Sequence, residues 1–332
     1  MARQNRAAST TPFQQPQRLT RRSRQMLMAG LAALAFGAAS QAQTITLERA
    51  PSGHLTLPVE IGTSGPHTFL LDTGASNTAI AQPIAETLGF HSAWEDYGDV
   101  QSLTARFSAE HFRLEDVRFG GLPPVSLDSI VVPVDGTQER PVAGLLGADA
   151  IPVARYVLDF ANATLTLDSG RPQHADGYVN EQNLLLGQAD LGQGMHGVRV
   201  MIDSGSARTL VNSGLRSQVQ QRARRVSYSI DGIGSRLIDD TSTEAQPVLL
   251  RQLELGGLCL NSVLALQADL EIFQALDWGR MPAMVIGMDV LQHATVTVDR
   301  EAGTFEISAS DDEDACQGER VMPLTRERDS SR

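Results

Sequence analysis

From residue 43 onward, apolar and polar residues alternate in short runs: "HLTLPVEIG" (54–62), "HTFLLD" (67–72), "FRLEDVRFGG" (112–121), "DSIVVPV" (128–134), "YVLDF" (156–160) and "TLTLD" (164–168). A period of two puts every second side chain on one face of an extended segment, so each run reads as a strand with a buried face. Glycine, proline, asparagine and aspartate stand between the runs, where turns need them. Few segments keep a helical period for long, and the best candidates are Ala79–Leu88 and Val211–Arg224. The pattern predicts a mostly-β fold with small helices.

The pattern also repeats. "GADAIPVARYVLDFANATLTL" from Gly147 aligns without a gap to "GMDVLQHATVTVDREAGTFEI" from Gly287, matching Asp149 to Asp289 and Asp159 to Asp299. Upstream, "VRFGGL" (117–122) matches "LELGGL" (253–258), and "LLDTGAS" (70–76) matches "MIDSGSA" (201–207). The order is kept while the offset grows from 131 through 136 to 140, as two copies of one domain with loop insertions in the second would give. The expected division is a first lobe over 43–168, a linker over 169–178, a second lobe over 179–309 and an acidic, polar tail over 310–332. A pseudo-twofold should relate the two lobes.

The segment before the first lobe has a different character. Residues 1–25 carry six arginines and no acid, followed by the apolar run "MLMAGLAALAFGAA" and then "SQA". That order is a secretory signal with cleavage expected after Ala42. The apolar run is too short to span a bilayer, which takes about 20 residues. The mature chain is therefore expected in the periplasm or secreted, with no membrane contact after cleavage.

Composition narrows the chemistry. The formal charge is −12, and loss of the six signal arginines takes it to −18, a poor surface for nucleic acid or anionic lipid. All 27 basic residues are arginine. A P-loop lysine, a Schiff base and a serine–lysine hydrolase are thereby excluded. The seven histidines (His54, His67, His91, His111, His174, His196, His293) do not fall at metal-ligand spacing, and only Cys259 and Cys316 carry thiols. No metal and no cofactor is expected. In an exported chain two cysteines can pair, with a free buried Cys259 as the other reading.

The repeated motif is where the apolar pattern is broken. In both copies an apolar strand delivers an aspartate, Asp72 or Asp203, where a core residue should come next, and a hydroxyl residue and a glycine follow. An ionised carboxylate is costly to bury. Two similar lobes could bring these carboxylates together across the pseudo-twofold, where like charges keep one of them protonated and the pair can act as acid and base on a water. Thr73 and Ser204 offer hydroxyls to fix the carboxylates, and Gly74 and Gly205 permit close approach. The competing account has each aspartate capping the helix that follows.

Here the chain resembles the aspartic proteases of the retropepsin and pepsin clan, and most closely the bacterial retropepsin-like aspartyl proteases with two fused lobes. The resemblance rests on the motifs at Leu70–Ala75 and Met201–Ser206 and on the apolar-apolar-glycine elements "LLGADAI" (145–151) and "VIGMDVL" (285–291). It implies a closed β-barrel in each lobe, an active cleft between lobes covered by β-hairpin flaps, and Asp72 and Asp203 as the catalytic pair with Thr73, Gly74, Ser204 and Gly205 in support. It implies an exported aspartic endopeptidase that takes a peptide or unfolded protein substrate. With both lobes in one chain it implies a monomer, unlike single-lobe relatives that must dimerise. The flap candidates are Thr104 and Ala105 in the first lobe and Gly232 and Gly234 in the second, with Arg106 standing where family flaps commonly carry glycine. Met284 stands where the first copy has Gly144. The rival from another class is a catalytically silent peptide-binding or scaffold protein on the same fold.

Overall fold

The computed structural model describes residues 42–89, 97–132, 142–192, 194–219, 228–229 and 244–310. Residues 1–41, nearly all of the expected signal, the second flap candidates Gly232 and Gly234, Cys316 and the tail beyond Ser310 lie outside the described residues.

The first repeat closes into a six-stranded barrel. Its strands run in the order Leu55–Ile61, Ser64–Leu71, Gly144–Leu146, Ala79–Ala81, Val125–Val132 and Arg106–Phe119, and the last pairs back with the first. Alternation drives this closure: Leu55, Leu57, Val59 and Ile61 are all buried, while Pro58 and Glu60 between them are exposed. The second repeat sets equivalent strands in the same order: Leu185–Ala189, Val198–Ile202, Ala283–Ile286, Leu210–Val211, Leu258–Gln267 and Glu244–Leu255. An isolated bridge from Asp190 to Glu254 links the first and last of these. The fold is mostly β, as the alternation predicts.

The two expected helices are shorter than their periodicity suggests. Ala79–Ala81 is a strand, and the helix begins only at Gln82 and ends at Thr87. All three residues are buried and pair with Val125–Val132, and Ala79 and Ile80 pair also with Gly144–Leu146, so barrel hydrogen bonds override the helical spacing. Pro83, in the first turn, suits a helix start. Likewise Leu210–Val211 is a strand and the second helix spans Ser213–Val219.

The barrels are joined by a further run of six strands: Gln43–Thr46, Thr164–Leu167, Arg155–Asp159, Ala294–Asp299, Thr304–Ala309 and Gly177–Val179. At its centre Arg155–Asp159 pairs antiparallel with Ala294–Asp299, and Val157 lies opposite Thr297. These two residues are 140 apart, the same separation as Gly147 from Gly287 in the repeat. A strand therefore meets its own copy, and the pseudo-twofold axis passes between Val157 and Thr297. Gly177–Val179 takes up the last two positions of the segment expected as linker.

The Gly144/Met284 difference has a packing reason. Phe69 pairs directly with Gly144, and a Cβ on Gly144 would stand 2.5 Å from the Phe69 ring. In the second barrel the equivalent pair is Val200 with Met284, both fully buried. Large against small is exchanged for small against large, at similar volume.

Candidate active site

Each aspartate is placed by a parallel strand pair. Ser64–Leu71 lies beside Gly144–Leu146, and the Asp72 N–H donates to the Leu146 carbonyl at 2.9 Å. In the second lobe Val198–Ile202 lies beside Ala283–Ile286, and the Asp203 N–H donates to the Ile286 carbonyl at 3.0 Å. A turn follows each aspartate, and the nearest helices begin only at Gln82 and Ser213. The capping account has no helix end to act on.

The hydroxyl residues cross between lobes. The Thr73 N–H donates to Ser204 Oγ and the Ser204 N–H donates to Thr73 Oγ1, each at 3.0 Å. The same hydroxyls donate onward, Thr73 Oγ1 to the Ile202 carbonyl at 3.2 Å and Ser204 Oγ to the Leu71 carbonyl at 2.7 Å. Four buried hydrogen bonds thus tie the two strand ends together directly beneath the carboxylates. Replacing Ser204 by alanine orphans the buried Thr73 N–H and Leu71 carbonyl, at about 1–3 kcal/mol for each group left unsatisfied. We expect Ser204→Ala to lose about 2–4 kcal/mol in denaturant unfolding, and a loss under 0.5 kcal/mol would contradict this account of the junction.

The glycines shape the space between the carboxylates. Gly74 N–H donates to Asp72 Oδ1 and Gly205 N–H to Asp203 Oδ1, both at 2.8 Å. Each glycine also faces the other lobe's acid: a Cβ on Gly74 would stand 2.5 Å from Asp203 Cγ, and one on Gly205 would stand 2.5 Å from Asp72 Cγ. No side chain fits there. The two carboxylates share a hydrogen bond. Burial raises the pKa of Asp72, and burial together with repulsion from Asp72 carries Asp203 well above the ordinary carboxylate range. Asp203, 2% exposed against 7% for Asp72, is the better proton holder of the two.

Above the pair lies a cavity of about 400 Å³. Asp72, Asp203, Gly74 and Gly205 form part of its lining, with Ile130 and Leu145 from the first lobe and Leu184, Met201, Ile272 and Leu276 from the second. Its roof is a hairpin of Tyr97–Gln101 and Arg106–Phe119, with Thr104 and Ala105 at the tip. The tip needs no glycine: Ser102 Oγ accepts from the Ala105 and Thr104 N–H groups and donates to the Ala105 carbonyl, and no residue from Ser102 to Arg106 has positive φ. Arg106 begins the returning strand and lines the cavity. The hairpin reaches across the cleft. Ile272 N–H, in the first turn of the helix Glu271–Ala275, donates to the Leu103 carbonyl at 3.1 Å, and Leu103 packs on the second-lobe cluster that contains Met201, Ile272 and Phe273.

Residues 57–150 match the model of a family described as aspartyl protease. Over this segment the first lobe is similar to aspartyl proteases. The matched segment runs from the first strand of the first barrel to the short 3-10 turn Ala148–Ala150, and includes Asp72, Thr73 and Gly74. No curated protein matches the chain.

The sequence reading passed over a pair of threonines. Thr78 Oγ1 donates to Asp149 Oδ1 at 2.9 Å and Thr209 Oγ1 to Asp289 Oδ1 at 2.7 Å, while the same hydroxyls accept from the Gly147 and Gly287 N–H groups at 3.3 Å. Each threonine thereby fastens the aspartate-bearing loop to the glycine element behind it. Burial raises the pKa of both acids. The signal was present, since a threonine stands six residues after each motif aspartate in "DTGASNT" and "DSGSART". Asp159 and Asp299, also matched by the repeat, accept the Asn162 and Ala302 N–H groups at hairpin ends, each at 3.0 Å. Cys259 is disulfide-bonded.

Proposed function

We propose that the protein is an exported aspartic endopeptidase, active as one chain, that hydrolyses peptide bonds with a water held between Asp72 and Asp203. The observation that carries the reading is the buried, hydrogen-bonded carboxylate pair on the floor of a roofed cleft, one acid from each lobe. Asp72, the more exposed and more easily ionised acid, takes a proton from the water as it attacks the amide carbonyl. Asp203 gives its proton to the carbonyl oxygen, so the charge that develops there is neutralised as it forms. No covalent intermediate is needed. The mixed lining, apolar at Leu184, Met201, Ile272 and Leu276, suits a peptide held extended with its side chains in apolar subsites. The arginine-rich, apolar leader supports release into the periplasm or medium.

Purified mature protein incubated with denatured casein between about pH 3 and pH 8 should release peptides, while an Asp72→Asn control should not. Casein left intact by the wild type, with a peptide still bound in the cleft, would favour a silent binding protein.

A further inference from the structure

His54 is fully buried and touches the catalytic loop of the opposite lobe. Its Nε2 lies 3.1 Å from the Gly205 carbonyl and its Nδ1 2.9 Å from Ser52 Oγ. A carbonyl oxygen only accepts, so Nε2 carries the proton and Nδ1 accepts from the Ser52 hydroxyl. The geometry fixes one neutral tautomer. The ring is held in turn by a tight turn, in which the Ala50 N–H donates to the His54 carbonyl at 2.9 Å and the Gly53 N–H to the Ala50 carbonyl at 2.8 Å. Burial lowers the His54 pKa to about 4, so the ring stays neutral through mildly acidic conditions.

Among the described residues of the second lobe nothing comparable is found. Thr56 pairs with Leu70 and Leu186 with Met201, and Leu70 and Met201 each stand two residues before a catalytic aspartate. Two positions further back, His54 therefore corresponds to Leu184, whose apolar side chain cannot hydrogen-bond the carbonyl of Gly74. The repeat is broken on one side only.

We propose that His54 is a positioning residue for the carboxylate pair, holding the Gly205–Ser206 peptide of the second lobe from the first. This rests on the reading of the protein as an aspartic peptidase. The Gly205 N–H donates to Asp203, and Gly205 borders the Asp72 carboxylate so closely that even a methyl group has no room. Any displacement of Gly205, which joins that peptide to the one carrying its N–H, therefore moves both acids. The imidazole bond also polarises the Gly205–Ser206 amide, whose N–H belongs to Ser206 and contributes to the hydrogen bonding around Asp203.

The test uses full-length mature protein in four forms: wild type, His54→Leu, His54→Gln and Asp203→Asn. Glutamine places an N–H where Nε2 stands, and leucine copies the equivalent position of the second lobe. We expect His54→Leu to lower kcat by roughly 10- to 100-fold with KM within about twofold, and His54→Gln to recover most of the loss. Amide hydrogen exchange supplies a readout independent of turnover. In His54→Leu the segment holding Gly205 and Ser206 should exchange at least about tenfold faster, while the segment holding Gly74 should not change. Unchanged exchange at Gly205 and Ser206 overturns the proposal whatever the activity. Faster exchange with wild-type kcat overturns it too, and so does a fall in kcat that glutamine fails to restore. A wild type as inactive as Asp203→Asn removes the peptidase reading itself, and the positioning role with it.

Discussion

Asp203→Asn should abolish turnover and yet leave a protein more stable than the wild type near neutral pH. Asparagine keeps the shape of the side chain and still accepts the Gly205 N–H, but it cannot give or take the proton. We expect kcat to fall by at least about a thousandfold, Asp72→Asn to do the same, and the double variant to lose little more, because the two acids act as a unit. The rate of the wild type should rise and then fall with pH, and the two apparent pKa values belong to the pair. Stability follows the opposite logic. The Asp203 pKa is raised in the folded state, so folding favours its protonated form. That contribution is fully present below the ordinary carboxylate pKa of 3.8 and is lost as pH rises through the folded value. The melting temperature of Asp203→Asn should match the wild type near pH 3 and exceed it by pH 7. Surviving hydrolysis in either single variant would refute the pair, and a variant less stable than wild type at pH 7 would refute the buried repulsion.

Gly205→Ala should cripple the enzyme without unfolding it. The added methyl carbon would lie 2.5 Å from Asp72 Cγ, far inside contact distance, so the carboxylate or the loop must shift. Overpacking of this kind costs about 1–3 kcal/mol. The catalytic cost is larger, since a displacement near 1 Å at reacting groups can remove about a hundredfold in rate. We expect kcat/KM to fall by at least about that factor. Gly74→Ala, which meets Asp203 in the same way, should behave alike. Steady-state kinetics beside thermal unfolding separate the two effects. Near-wild-type kinetics in both alanine variants would show that the carboxylates do not need this gap.

Much of the molecule was legible because its signals are local and doubled. The alternation at Leu55–Ile61 and the repeated aspartate motifs announce barrels and a carboxylate pair, since period and spacing are properties of the chain itself. Ala79–Ala81 was misread as helix for the opposite reason: three small or apolar residues carry no period of their own, and the strands on either side decide their conformation. Thr78 and Thr209 stood in plain view at matching positions and needed only a longer comparison of the two motifs. The Leu103 contact and the His54 bond were beyond reach. Leu103 meets Ile272 across 169 positions and His54 meets Gly205 across 151, and no pattern near either residue marks its partner.

The pairing of Val157 with Thr297 bears on descent. In an assembly of two identical polypeptides, the residue on the axis would face its twin, and every inherited change would be entered twice, once in each half. Joining both halves in one gene lifts that rule. Phe69 with Gly144 could then trade bulk against Val200 with Met284, and a histidine could stand at position 54 while leucine remained at 184. Each is an alteration that a symmetric ancestor could adopt only in duplicate. Divergence between the halves also gives the two aspartates unequal surroundings, which is what the proposed division into proton holder and base requires.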